Sequence, residues 1–233
     1  MAAPDIQHLE VGGRRIGYRL RVGRAPTLLF LPGYASDMEG AKALALDAFA
    51  EQRGLAMLRL DYSGTGSSGG RFADGTLALW LEEALAALDA LTEGPLIAVG
   101  SSMGGWIALH LALLRSERVR ALIGIAAAPD FTDWGFTKEQ AAQLTDGAEM
   151  TRGFWESGQR LRLLESEIAI DCPVRLLHGE VDRDVPLDVA FRLMRALRSS
   201  DVQLNVLKGG GHRLSEPHEI RAILGTVENL LEP

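Results

Sequence analysis

A chain of 233 residues suits one domain with a substantial core. An apolar fraction of 47%, a charged fraction of 24% and a net charge of −7 fit a water-facing globular protein, and argue against nucleic acid or an anionic membrane as its main partner. The single cysteine, Cys172, excludes an intramolecular disulfide and a cysteine-built zinc cluster, a usage that suits a reducing cytoplasm.

The first residues, MAAPDIQHLEVGG, lack a basic region followed by an apolar run, so no secretory signal is expected. From His8, HLEVGGRRIGYRLRVG reads as a β-hairpin turning at Gly12-Gly13. TLLFLPG, from Thr27, and LAMLRLDY, from Leu55, read as buried strands. The stretch that follows, DYSGTGSSGG from Asp61 to Gly70, matches two patterns at once. Gly64, Gly66 and Gly69 spell the dinucleotide fingerprint G-x-G-x-x-G, while Gly66, Ser68 and Gly70 spell the hydrolase elbow G-x-S-x-G. Both patterns need a helix opening directly on the glycines. Here a polar connection, RFADGT, intervenes, and the helix TLALWLEEALAALDAL begins only at Thr76. Both readings therefore fail on context.

The second elbow match passes the same test. LIAVGS, from Leu96, is a strand, and MGGWIALHLALL follows at once from Met103 as a helix. Ser102 thus sits on a sharp strand-to-helix turn, with Gly100 and Gly104 where a side chain would collide across it. The apolar run from Trp106 to Leu114 is interrupted by His110 and ends at Arg115, short of a membrane span. VRALIGIAAA, from Val119, is a further strand. Pro129 to Ile170 then shows helical fragments without a strand and carries Phe131, Trp134, Phe136, Phe154 and Trp155. A cap over the site is expected at about 130–170, with Trp134, Phe136 and Trp155 as candidate contacts to an apolar acyl or aryl group. Arg152, Arg160 and Arg162 read as solvated charges on the cap face in preference to partners of an acidic head group such as a glucuronate, and Cys172, before Pro173, as a packing residue. VRLLHGE (from Val174) and VQLNVLKG (from Val202) read as buried strands, and LDVAFRLMRALRS (from Leu187) and PHEIRAILGTVENLL (from Pro217) as helices. Such alternation predicts an α/β fold with a mostly parallel sheet covered on both faces.

A serine hydroxyl is a weak nucleophile at neutral pH. It needs a general base, which in turn needs an orienting acid. In this architecture the chain order is Ser, then Asp or Glu, then His. His212, in KGGGHR after the last strand, is the expected base; His8, His110, His178 and His218 read as surface or core residues. The acid comes from HGEVDRDVP: Asp182 first, then Asp184, which would otherwise cap the next helix, then Glu180. The backbone N–H groups of Met103, after the nucleophile, and Tyr34, in LPGYASD, are the expected oxyanion donors. This chemistry needs no metal or organic cofactor.

With those residues in place, PGY, DYSGTGSS, GSSMGGW, LLHGEVDRDVP and GGGHR resemble the α/β-hydrolases. The runs LPGYASDMEGAKALAL, DYSGTGSSGG, GSSMGGWIALHLAL, RALIGIAAA and CPVRLLHGEVDRDVP resemble, more narrowly, the branch of palmitoyl-protein thioesterases and mycophenolic acid acyl-glucuronide esterases. The resemblance spans most of the chain. It implies one α/β-hydrolase domain over residues 1–233 with a small cap insertion, and a serine esterase or thioesterase acting through a Ser102 acyl-enzyme. It also implies a structural role for the Asp61 loop, with Ser63, Ser67 and Ser68 bonding to backbone or supporting the site. The chain departs from many relatives at Gly211, where an Asp is common. The cap, Phe131 to Glu167, matches least, and no transit peptide is visible, so a cytoplasmic bacterial relative is expected. An acyltransferase, a peptidase or a non-catalytic ligand-binding homologue would use the same framework, and the oligomeric state stays open.

Overall fold

The computed structural model describes residues 4–145 and 150–231. The chain opens as the expected antiparallel hairpin. Strands β1 (Gln7–Val11) and β2 (Arg14–Arg21) pair with Leu9 opposite Ile16. Six further strands follow: β3 (Arg24–Leu31), β4 (Leu55–Leu60), β5 (Leu96–Ser101), β6 (Val119–Ile125), β7 (Val174–Gly179) and β8 (Val202–Leu207). They form one eight-stranded sheet in the order β1-β2-β4-β3-β5-β6-β7-β8. β2 joins β4 antiparallel, and every pairing from β4 across to β8 is parallel.

Strands β3 to β7 are near-continuous apolar runs because helices cover them on both sides. β8 corrects the expectation of a buried strand. It lies at the sheet edge with β7 as its neighbour, and its side chains alternate until Val206, with Gln203 and Asn205 exposed. An edge position needs only one apolar face.

Helix α1 (Ala41–Arg53) precedes β4, α2 (Leu77–Leu91) precedes β5 and α3 (Met103–Leu114) follows it. α1 was not among the expected helices, although its buried Ala43, Leu46, Phe49 and Ala50 recur at helical spacing. α2 starts where Thr76 announced it: the Thr76 hydroxyl accepts the Leu79 N–H at 3.2 Å. Three short helices fill the segment between β6 and β7: α4 (Phe131–Trp134), α5 (Lys138–Ala142) and α6 (Arg152–Arg160). Residues 146–149 of the expected cap lie outside the described residues. α7 (Leu187–Ala196) and α8 (Pro217–Leu231) complete the chain.

Two apolar layers sandwich the sheet. One joins it to α2, α3 and α7 through Trp80, Ile107, Leu111 and Leu193. The other joins it to α1 and α8 through Leu46, Phe49, Ile223 and Val227. The insertion is fastened to the first layer. The Phe154 ring, fully buried, lies 4.9 Å from Tyr34 and 5.4 Å from Trp80. The Asp130 carboxylate closes the base of the insertion by accepting the N–H groups of Leu163 (2.9 Å) and Leu164 (2.7 Å). The loops after β3, β5, β7 and β8 leave the same end of the parallel sheet, where ligands of open α/β sheets bind.

Candidate active site

Ser102 joins β5 to α3 with φ 54° and ψ −120°, a conformation that L-residues rarely hold. The turn closes only because its neighbours lack side chains. A Cβ on Gly100 would stand 2.2 Å from the Gly104 carbonyl oxygen, and one on Gly104 would stand 2.0 Å from that of Leu31. Backbone bonds fix the strained residue: its N–H donates to Ile125 and its carbonyl accepts from Gly105, each at 2.9 Å.

The structure brings His212 and Asp182 to this serine. His212 Nε2 lies 3.0 Å from Ser102 Oγ, and Nδ1 lies 2.9 Å from Asp182 Oδ2. A carboxylate only accepts, so Nδ1 carries the proton and Nε2 is left to accept from the serine hydroxyl. The Asp182 side chain is fully buried. Burial pushes its pKa up, but the bonds from His212, Val185 and Asp184 outweigh that and hold the carboxyl below its ordinary range. Its second oxygen, Oδ1, accepts the N–H groups of Asp184 and Val185, both at 2.9 Å.

Neither alternative acid is bonded to His212, although Asp184 borders the space beside it. Asp184 is exposed and does not cap α7, whose N-cap is Pro186 with no side-chain bond. Glu180 accepts the Gly209 N–H at 2.9 Å and so steadies the turn before His212. His8 and His218 are exposed, and buried His110 meets the Leu161 carbonyl at 2.9 Å. His178 is more than the core residue expected. Its Nε2 lies 2.9 Å from the Val185 carbonyl and 3.6 Å from Asp182 Oδ2, so it braces the acid's loop from beneath.

Met103 is the first residue of α3, so its N–H has no intrahelical acceptor and points out of the helix N-terminus beside Ser102. Tyr34 stands in the loop after β3 and lines the same space as Ser102. That loop is clamped by two residues the sequence reading missed. Arg59 Nη1 donates to the Met38 carbonyl, and Asp61 Oδ1 accepts the Met38 N–H, both at 2.7 Å. The signal was an Arg and an Asp two positions apart in an apolar strand ending. Buried charges of that kind require partners. Burial holds the Asp61 carboxyl above its ordinary range despite the bonds from Ser67 and Met38.

The same carboxylate explains the glycines of DYSGTGSSGG. Asp61 Oδ2 accepts the Ser67 N–H at 2.7 Å, and a Cβ on Gly66 (φ 46°) would stand 2.1 Å from that oxygen. Ser68 Oγ donates to the Asp61 carbonyl at 2.6 Å and accepts the Gly17 N–H at 2.7 Å. Ser63 takes part through its backbone, accepting from Trp80 Nε1 at 3.1 Å. The glycines fold the loop over Asp61; none of them opens a helix.

Ser102, Tyr34 and His212 stand between two cavities. One, of about 230 Å³, is apolar and lined by Ala128, Phe131, Trp134, Phe136 and Val185 among others. The second, of about 520 Å³, is bordered by Ser36, Asp37, Lys42, Arg213 and Ser215. Trp134 and Phe136 line the apolar cavity beside Ser102. Trp155 does not: it lines neither cavity, while Phe154 packs the junction of insertion and core. Arg152 and Arg160 are exposed, whereas Arg162 is half-buried and pairs with Asp133 (3.4 Å) and Glu165 (3.1 Å). Cys172 is far from the site in the fold, and burial pushes its thiol up to about 11, in line with packing. Among the described residues, one group of side chains has metal-ligand spacing, Asp182, Asp184 and His212, within 4.8 Å. Both ring nitrogens of His212 and Oδ2 of Asp182 are engaged in the bonds that link Asp182, His212 and Ser102.

Residues 26–152 match the family model described as alpha/beta hydrolase fold. The chain belongs to the α/β-hydrolase family. Among the family's members, it is 36% identical over 248 residues to the human mitochondrial palmitoyl-protein thioesterase ABHD10, across 98% of this chain and 78% of that protein. The structure of mouse ABHD10 superposes with a TM-score of 0.92 at 34% identity, covering 98% of each chain. A putative hydrolase from Agrobacterium vitis S4 superposes with a TM-score of 0.88 at 36% identity, again over 98% of each. The expected α/β-hydrolase fold and its narrower branch are thereby shown. Among the described residues no helix is long and apolar enough to cross a membrane.

Proposed function

We propose that this protein is a serine hydrolase of carboxylic esters and thioesters with an apolar acyl group, working through a Ser102 acyl-enzyme. One observation carries the reading: the unbroken series Asp182–His212–Ser102, bonded at 2.9 and 3.0 Å and ending on the strained elbow. Ser102 Oγ attacks the acyl carbonyl carbon and passes its proton to His212 Nε2. Asp182 holds the imidazole in the tautomer that can accept this proton and stabilises the imidazolium that forms. The carbonyl oxygen becomes an oxyanion and takes the N–H groups of Met103 and Tyr34. The bond to the leaving oxygen or sulfur then breaks, and His212 returns the proton to that atom. Water, deprotonated by His212, attacks the acyl-enzyme; the carboxylic acid leaves and Ser102 regains its proton.

The similarity to proteins named palmitoyl-protein thioesterase supports the thioester part of the reading, and the apolar cavity with Trp134 and Phe136 supports an apolar acyl or aryl group. Acyl-glucuronide hydrolysis belongs to the same proposal. The proposal treats residues 1–233 as one domain capped at about 130–170 and places the protein in the cytoplasm, on the strength of its single cysteine. Cell fractionation tests the address, since the matched mammalian relatives are named mitochondrial.

The chemistry is tested with a fluorophosphonate probe and a matched series of oxyesters and thioesters from acetyl to palmitoyl. Covalent labelling at Ser102, absent in Ser102→Ala, is expected together with ester turnover. An unlabelled wild-type protein, or turnover that survives Ser102→Ala, overturns the reading. A rise of kcat/KM toward long thioesters assigns a depalmitoylase-like preference; a peak at short or aryl esters assigns a shallow-pocket esterase.

A further inference from the structure

The polar cavity beside Ser102 has a composition that the acyl chemistry alone does not need. It is bounded by the loop after β3, the first turn of α1 and residues 212–215. Two cations face it. Lys42 Nζ donates to the Arg213 carbonyl, which leaves two of its three N–H bonds without a partner among the described residues. The Arg213 guanidinium is exposed and has no carboxylate at ion-pair distance among the described residues. Burial pushes the Lys42 pKa down, the nearby Arg213 charge adds to this, and Glu219 opposes it from behind. Like charges are thus kept together at the rim of a site. The Ser36 and Ser215 residues border the same space. So does the start of α1, where Gly40 provides no side-chain cap and the first turn holds no acid. Asp37 is the one carboxylate lining the cavity, and its Oδ1 is taken by the Glu39 N–H at 2.8 Å.

We propose that this cavity is the leaving-group site, and that Lys42 and Arg213 select esters and thioesters whose alcohol or thiol carries a carboxylate close to the scissile bond. The inference rests on the acyl-enzyme reading above and deepens it. An apolar acid has spent its own carboxylate in the ester bond, and its chain requires the apolar cavity by Trp134 and Phe136. The polar cavity is then left to the other half of the substrate. His212, which protonates the departing atom, stands between the two spaces and is followed directly by Arg213. The carboxylate has two chemical sources: an acidic residue beside an S-acylated cysteine in a peptide, or a small thio- or hydroxy-acid.

The test measures kcat and KM with one acyl group on mercaptopropionate and on propanethiol, thiols of similar acidity, and on S-acyl-cysteinyl peptides with Glu, Gln or Lys beside the cysteine. The anionic member of a set is expected to be favoured about tenfold in kcat/KM, mainly through KM, and less at high ionic strength. Lys42→Met should shrink that ratio. Arg213→Glu, at an exposed position that folding tolerates, should reverse it. A preference within the peptide set assigns an acidic peptide; one confined to the small thiols assigns a small acid. Equal constants for anionic and neutral members in both sets, or ratios unmoved by Arg213→Glu, overturn the inference. Turnover that survives Ser102→Ala would instead overturn the acyl-enzyme reading, so the two failures are distinct.

Discussion

At the residue scale the site depends on where each proton is held. Asp182 can orient His212 because its other oxygen is occupied by two backbone N–H groups, so the carboxylate has little freedom to turn away. Replacing it by Asn offers an amide N–H to Nδ1 and favours the wrong tautomer. Asp182→Asn should therefore lower kcat about 10³- to 10⁴-fold with KM little changed, as steady-state kinetics would show. The same carboxylate carries a stability signature. Its folded pKa lies below the unfolded value of about 3.9, so the ionised form stabilises the fold fully above that pH. That contribution is lost as pH falls through the folded pKa. Urea unfolding of wild type and Asp182→Asn should accordingly diverge near neutrality and converge below about pH 4. A difference independent of pH would refute this account. Ser, His and Asp were readable because each stood in a diagnostic local context: strand-turn-helix, strand-glycines-His, strand-acidic loop. His178 was not, since a lone His in an apolar strand looks the same whether it fills the core or braces a catalytic loop.

At the element scale, β4 contributes more than its place in the sheet. Its end offers Arg59 and, just beyond, Asp61, which grip the backbone carbonyl and N–H of Met38 and hold the loop that carries Tyr34. Asp61→Asn keeps the shape but has one carbonyl oxygen for two N–H donors, Met38 and Ser67. One buried donor goes unsatisfied, at a cost of about 1–3 kcal/mol in unfolding free energy. If the clamp positions the oxyanion donor, kcat should fall in addition while fluorophosphonate still labels Ser102, only more slowly. Loss of stability with unchanged kcat would reduce Asp61 to a purely structural role. The elements themselves were mostly legible because βα alternation writes itself in hydrophobic period. Two departures have physical causes. α1 carries much of its buried face as alanine, which gives a weak amphipathic contrast, and β8 has enough Val and Leu to look buried although it needs only one covered face.

At the scale of the whole molecule, the question is how the insertion between β6 and β7 is held on the sandwich without closing the site. The fold could be read from sequence because six parallel strands and their helices repeat one rule; the insertion obeys none, so its aromatics gave composition without direction. The structure divides them by task. Phe154 is buried against Tyr34, Trp80 and Phe131, which joins α6, α2 and the loop after β3 in one contact cluster. Trp134 is half-buried, anchors its indole N–H on the Pro129 carbonyl at 2.7 Å and turns a face to the apolar cavity. The two positions should therefore respond differently to truncation. Phe154→Ala removes a fully buried ring and should cost about 3–5 kcal/mol of stability, lowering Tm and, through Tyr34, kcat for every acyl length alike. Trp134→Ala should leave Tm nearly unchanged and raise KM for long acyl chains more than for acetyl. Thermal melts and an acyl-length series on both variants separate these outcomes. If Trp134→Ala slowed acetyl and palmitoyl esters equally, the apolar cavity would not be the acyl site, and the assignment of the polar cavity to the leaving group would lose its premise as well.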